Sequence, residues 1–212
     1  MDNIERFIEY AKIDTQADDT TGTSPSTEKQ KDLGRLLVKE LIELGLDDAF
    51  MDEYGNVYAH LKGKGEKVGL NAHMDTALEV TNTGTNPRII SNYNGEDIVL
   101  NDKYTLSQKQ FPSLKKHIGH DLVVTDGNTL LGADDKAGIA IIMNALAYLK
   151  ANPSIEHKNI SIAFTCDEEI GEGPLHFDLK KMDADYAFTI DGSEIDCIDF
   201  ENFNAKGVHI HI

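Results

Sequence analysis

Apolar residues recur at helical spacing in three stretches of the chain. In "NIERFIEYAKI", Ile4, Phe7, Ile8 and Ala11 fall on one helical face. Further on, Leu33, Leu36, Leu37, Leu41 and Leu44 form a second stripe. Thr27 and Gln30 are placed as a capping box at its start, and Gly45 is placed to end it. The third stretch runs from about Lys136 to Lys150, with Ile139, Ile142, Met143, Leu146 and Leu149 aligned. A polar loop, "DTQADDTTGTSPSTEKQ" with Gly22 and Pro25, separates the first two helices.

Elsewhere the period shortens. "DDAFMDE", "NVYAHLKG" and "KVGLNAHMD" read as short strands, parted by Gly55–Asn56 and by the "GKGE" turn. "NISIAFT" and "DYAFTID" are nearly continuous apolar runs, the pattern of strands covered on both faces. Between Thr81 and about His120 the chain is irregular, and an insertion of that length is expected to be functional or mobile. "DLVVT" and the turn "DGNTLLG" follow, and the terminal "GVHIHI" alternates like a half-exposed strand. Helices alternating with buried strands predict an α/β fold, a layered mixed or parallel sheet flanked by helices. No internal repeat or low-complexity segment interrupts it.

Composition changes this picture in one respect. With 212 residues, 40% hydrophobic and 27% charged, the chain is an ordinary globular one, but its formal charge is −17. So acidic a surface repels phosphate backbones and anionic lipid, so neither nucleic acid nor a membrane is an expected partner. No apolar run approaches the roughly 20 residues that span a bilayer. The N-terminal "MDNIERFIEY" opens with charge rather than a signal peptide. Cys166 and Cys197 make neither a disulfide framework nor a CxxC pair, which predicts a reduced, cytoplasmic protein.

Much of the acid is concentrated just past predicted strand ends, in "NAHMDTA", "GADDKAG", "TCDEEIGEG" and "TIDGSE". In open α/β sheets that is where ligands bind. The clusters would bring together His73, Asp75, Asp134, Asp135, Glu168, Glu169 and Asp191. Taken singly, each has a plain structural reading, as a helix cap or a solvated turn. Together, so many carboxylates would repel one another and retain protons unless a divalent cation joins them. Imidazole and carboxylate ligands suit zinc, with cobalt or manganese as alternatives. Asp75, two residues after His73, could hold the imidazole from behind. Of the adjacent Glu168 and Glu169, one could bind metal while the other accepts a proton from a metal-activated water, the apparatus for amide hydrolysis.

In this order, "DTQ", "PSTE", "TDGNTLLGADDKAGIA", "AFTCDEEIGEG" with "HFD" beyond it, and "FENFNA" resemble the di-zinc aminopeptidase/carboxypeptidase/aminoacylase family, specifically its tripeptide aminopeptidases. The resemblance covers essentially the whole chain. It implies a zinc-exopeptidase-like catalytic domain over residues 1–201, with 202–212 the first strand of a lid or dimerisation domain. It also implies that His73 and Asp191 bind the first zinc, that Asp134 bridges both metals through a residue whose peptide bond to Asp135 is cis, and that Glu169 binds the second. Glu168 is implied as general base and Asp75 as the group that orients His73. The implied reaction removes the N-terminal residue of a short peptide. A carboxypeptidase or N-deacylase of the same family, or a non-catalytic metal-binding remnant, stands as the alternative.

Three departures qualify the likeness. Cys166 precedes "DEE" where these aminopeptidases usually have proline, which would put a thiol beside the metals, and "DGSE" replaces a more glycine-rich turn. Family members are about twice as long, so this chain is expected to end where the lid begins. It would then be C-terminally incomplete, lacking the His of the second zinc site. The expected consequences are little or no peptidase activity alone, and self-association through an exposed edge or lid strand.

Overall fold

The computed structural model describes residues 2–192 and 197–200. The 202–212 strand and most of the "GSE" turn lie outside the described residues.

Helix α1 (Asn3–Ala11) opens with a capping box between Asp2 and Glu5. Its buried face differs from the expected one. Phe7 and Ala11 are buried, but so are Arg6 and Tyr10, while Ile4 is exposed. The cause is a polar contact: Arg6 and the Tyr10 hydroxyl both donate to the carboxylate of Glu40. Glu40 lies on α2 (Gln30–Glu43), whose Leu33, Leu37 and Leu41 are fully buried, with Leu36 and Leu44 packed at the margin. The predicted capping box does not form, because α2 has no side-chain cap and the Gln30 amide is drawn away to Asp167. At the other end Gly45, at φ 80°, donates to the Ile42 carbonyl and Leu46 to that of Leu41, a Schellman closure.

Strands β1 (Phe50–Met51), β2 (Val57–Leu61) and β3 (Lys67–His73) follow, as the short runs predicted. The insertion expected to be irregular holds one short antiparallel pair, β5 (Ile98–Val99) with β6 (Thr105–Leu106), and a further strand, β4 (Arg88–Ile90), that pairs antiparallel with β7 (Leu122–Val124) in the "DLVVT" beyond it. In a stretch broken by scattered Asn, Gly and Pro, strands of two or three residues carry too few alternations to stand out. Helix α3 (Ala133–Ala151) has non-helical backbone at Asp134 and Asp135, so its regular part begins near Lys136, as expected. After it come β8 (Asn159–Thr165), the single-turn α4 (Leu179–Met182) and β9 (Tyr186–Thr189).

The main sheet has the order β1-β2-β8-β3-β9. Strands β1, β2 and β8 run antiparallel in turn, while β3 is parallel to both β8 and β9. Alternation along the strands separates two faces. Val57, Ala59, Leu61, Ala72, Ile162 and Phe164 join α1, α2 and α3 in one large core. Tyr58 and Ala163 point the other way, into a small cluster with Met182 of α4. On that face Gly69 is closely approached by Met182 and Ala187, so a side chain there would collide. The central strand β8 is covered on both faces as expected, but β9 is exposed along its whole length. Among the described residues β9 is an edge strand with β3 as its one partner. None of the described helices is long and apolar enough to cross a membrane.

Candidate metal centre

The parallel strands β3, β8 and β9 end on the same side of the sheet, and α3 begins there. Every candidate acid therefore meets at one place. His73, the last residue of β3, is its hub and is only 2% exposed. Its Nε2 lies 2.9 Å from Asp134, 3.8 Å from Glu168 and 3.9 Å from Asp191. Its Nδ1 faces Asp75, 3.1 Å from the backbone carbonyl and 3.4 Å from the carboxylate. The His73 backbone N–H donates to Asp135 at 3.2 Å.

Two groups of side chains come close enough to hold an ion, with ligand atoms within 4.8 Å of one another: His73 with Asp134 and Glu169, and His73 with Asp135 and Asp191. All the acids picked out at strand ends thus converge. Asp135 had been given no role of its own, yet it is buried beside His73, with Gly138 packed against its carboxylate. The Asp134–Asp135 peptide bond is cis.

Asp75 does more than face the imidazole. It is fully buried, and its two oxygens accept the backbone N–H groups of Glu168, at 3.1 Å, and Glu169, at 3.0 Å. It therefore ties the end of β3 to the turn after β8. Lys136, next to the two aspartates, is also fully buried and points away from them. Its ammonium donates to the Ile13 carbonyl at 2.7 Å and to Asn82 at 2.9 Å, and burial pushes its pKa down to about 7.

The electrostatics are those of a site short of positive charge. Burial alone would push the His73 imidazole down, but the Asp75 hydrogen bond and the charges of Asp75, Asp135 and Asp191 lift it to about 10. Burial raises Asp135 to about 8 against the pull of His73. Glu168, Glu169 and Asp191 are also raised, first by burial and then, against His73, by one another and their acidic neighbours. Among the described residues no lysine or arginine pairs with these carboxylates. One imidazole among several carboxylate oxygens is a donor set that fits a divalent ion such as zinc, cobalt or manganese.

Cys166 does not take the place expected for it. It is buried in the large core, its thiol pKa is pushed well up by burial, and it joins neither ion-holding group. Its side chain alternates inward from β8, beside Gly55, away from the acids that follow it. Sequence reasoning also passed over Ser26 and gave Gln30 only a capping role, whereas both bind Asp167, from the loop and helix before β1. The nearest signal was the "PSTE" stretch, in which Ser26 lies.

Residues 120–201 match the family model for peptidase family M20/M25/M40. The chain is 48% identical to a peptidase T of Clostridium perfringens over 212 residues, 98% of this chain and 52% of that protein. It is 50% identical to peptidase T of Bacillus subtilis over 215 residues, covering 99% and 52%. It therefore spans about half the length of the curated relatives it matches. Among solved structures, a tripeptidase of Staphylococcus aureus superposes with a TM-score of 0.61 at 25% identity, covering 91% of this chain and 43% of the other. The aminopeptidase PepT of Bacillus cereus gives 0.64 at 24% identity, with the same coverage, and shares the fold.

Proposed function

We propose that this chain, a relative of peptidase T with a match to the M20/M25/M40 peptidases, supplies the metal-binding and proton-accepting groups for removing the N-terminal residue of short peptides, tripeptides among them. The observation that carries this reading is the convergence of six carboxylates on a single buried imidazole, His73. In this proposal His73 and Asp191 would hold one zinc, Glu169 a second, and Asp134 would serve both. When bound, the ions supply Lewis acidity to the scissile carbonyl and to the attacking water.

The other steps belong to the chain's own side chains. Glu168 takes a proton from the attacking water and returns it to the departing amine, as the carbon–nitrogen bond breaks. Asp75 keeps the imidazole ring in place through Nδ1 and anchors the backbone of Glu168 and Glu169. The two free cysteines support a reducing, cytoplasmic setting.

Because the chain spans about half the length of its relatives, we also propose that these 212 residues alone turn over tripeptides weakly or not at all. The test is calorimetric titration with Zn2+ and Co2+, followed by assay of tripeptides, N-blocked tripeptides and N-acyl amino acids. Saturable metal binding is expected, with any hydrolysis requiring metal and a free N-terminus. Absence of binding by either ion would overturn the metal reading. Robust tripeptide turnover would refute the statement about the chain alone, and cleavage of the blocked substrates would assign a carboxypeptidase or deacylase instead.

A further inference from the structure

The turn that presents Glu168 and Glu169 is held from behind by a buried polar cluster with no part in the chemistry above. Asp167 has φ 62°, in the left-handed region that few side chains other than Gly, Asn and Asp adopt. Its buried carboxylate accepts the Ser26 N–H at 2.8 Å, the Ser26 hydroxyl at 2.6 Å and the Gln30 amide at 2.6 Å. The Asp167 N–H in turn donates to the Gln30 side-chain oxygen at 3.2 Å, so Gln30 grips both backbone and side chain. The Ser26 hydroxyl is itself fixed by the Asp18 N–H and the Gln30 amide, each at 3.1 Å. Ser26 and Gln30 are both buried.

The turn is braced on its remaining sides. The Asp167 carbonyl accepts from Glu172 at 2.9 Å, and that of Glu168 accepts from Gly171 at 2.7 Å. Asp75 takes the Glu168 and Glu169 amides. The side chains of Glu168 and Glu169, by contrast, make no hydrogen bond among the described residues. Their aim is therefore set by the backbone that carries them.

We infer that Asp167, gripped by Ser26 and Gln30, is a positioning residue that fixes the turn so that Glu168 and Glu169 face His73. The inference rests on the roles proposed above for those two glutamates. A left-handed residue carrying a buried carboxylate is unfavourable unless its surroundings over-determine it. Hydrogen bonds to an ionised acceptor are the stronger kind. Removing the carboxylate leaves the Ser26 and Gln30 donors buried without a partner, and the turn loses its fixed point.

The experiment compares Asp167→Ala, Asp167→Asn and Ser26→Ala in the 212-residue chain. Without metal, amide hydrogen exchange at Glu168 and Glu169 is measured against the amides of β8. With Co2+ alone as probe, affinity and the visible spectrum are recorded. Asp167→Ala should speed exchange at Glu168 and Glu169 by about tenfold or more relative to β8, and weaken Co2+ by about 10–100-fold with an altered spectrum. Asp167→Asn should recover part of both effects, and Ser26→Ala should show a smaller version of each. Should Asp167→Ala fold poorly, the Ser26→Ala and Asp167→Asn readings still decide the matter. Variants that lose global stability but keep relative exchange at Glu168 and Glu169 and the Co2+ spectrum unchanged would overturn the inference. Failure of the wild-type chain to bind Co2+ would sink the metal reading instead, leaving the exchange data to judge the positioning role.

Discussion

Behind the strand ends lie Asp75 and Asp167, and in front of them lie Asp134, Glu168, Glu169 and Asp191. The two sets differ in what surrounds their oxygens. Asp75 and Asp167 are 0% and 2% exposed, yet backbone amides, a hydroxyl and a side-chain amide donate to them. The front set is more open, with the Asp134 side chain 74% and Glu168 53% exposed, but it shares one imidazole and little else. Burial first, and then acidic neighbours against the pull of His73, make Glu168, Glu169 and Asp191 hold their protons more tightly than usual. The back set is architecture. The front set is charge gathered on one imidazole.

The largest test of this contrast removes the shared imidazole. His73 belongs to both ion-holding groups, so His73→Ala should weaken Zn2+ binding by more than about 100-fold, beyond the range that outer partners command. Calorimetric titration measures it. An unchanged affinity would mean that the front carboxylates do not work through His73.

A smaller effect should follow from breaking the back set. Asp75→Ala leaves the Glu168 and Glu169 amides without their acceptor. Each orphaned amide costs about 1–3 kcal/mol, so urea unfolding of the metal-free chain should show a loss of at least that order. Asp134→Ala, at an exposed position, removes one acceptor from His73 Nε2 at 2.9 Å, with the Glu168 and Asp191 carboxylates 3.8 and 3.9 Å away to take its place, so its loss should be the smaller, about 1 kcal/mol or less. Equal losses for the two variants would erase the distinction.

What could be read from the sequence divides along similar lines. Helices α2 and α3 were legible because Leu33, Leu37 and Leu41, or Ile139, Ile142 and Met143, repeat at the helical period and are buried. The face of α1 was misjudged because its buried side includes Arg6 and Tyr10, whose burial depends on Glu40. Strands β8 and β9 have similar apolar runs, but among the described residues only β8 of the two has a strand on both sides, and neighbours are a property of topology. The front acids stood out because charge at the end of an apolar run is locally anomalous. Ser26 and Gln30 did not stand out, since their partner Asp167 is 141 and 137 residues away and nothing in a polar loop marks such a contact.

The smallest expected effect tests the front set itself. The pKa of Glu168 is raised in the folded chain, by burial first and then by Asp191, Asp75 and Asp134, against the pull of His73. A raised carboxyl contributes its full stability below its unfolded value of 4.5 and loses it as pH rises through the folded value. Gln is neutral throughout, so Glu168→Gln should match wild-type stability near pH 4 and exceed it at pH 7 in the metal-free chain. With half the side chain in solvent, screening should keep the gain below about 1 kcal/mol. Thermal melts at the two pH values measure it, and a Zn2+ titration of the same variant completes the test. Because Glu168 is proposed to accept a proton rather than hold metal, Zn2+ affinity should change by less than about tenfold, well short of the His73→Ala loss. A variant less stable than wild type at pH 7 would show that Glu168 is already satisfied in the metal-free chain, and would move it from the front set to the back.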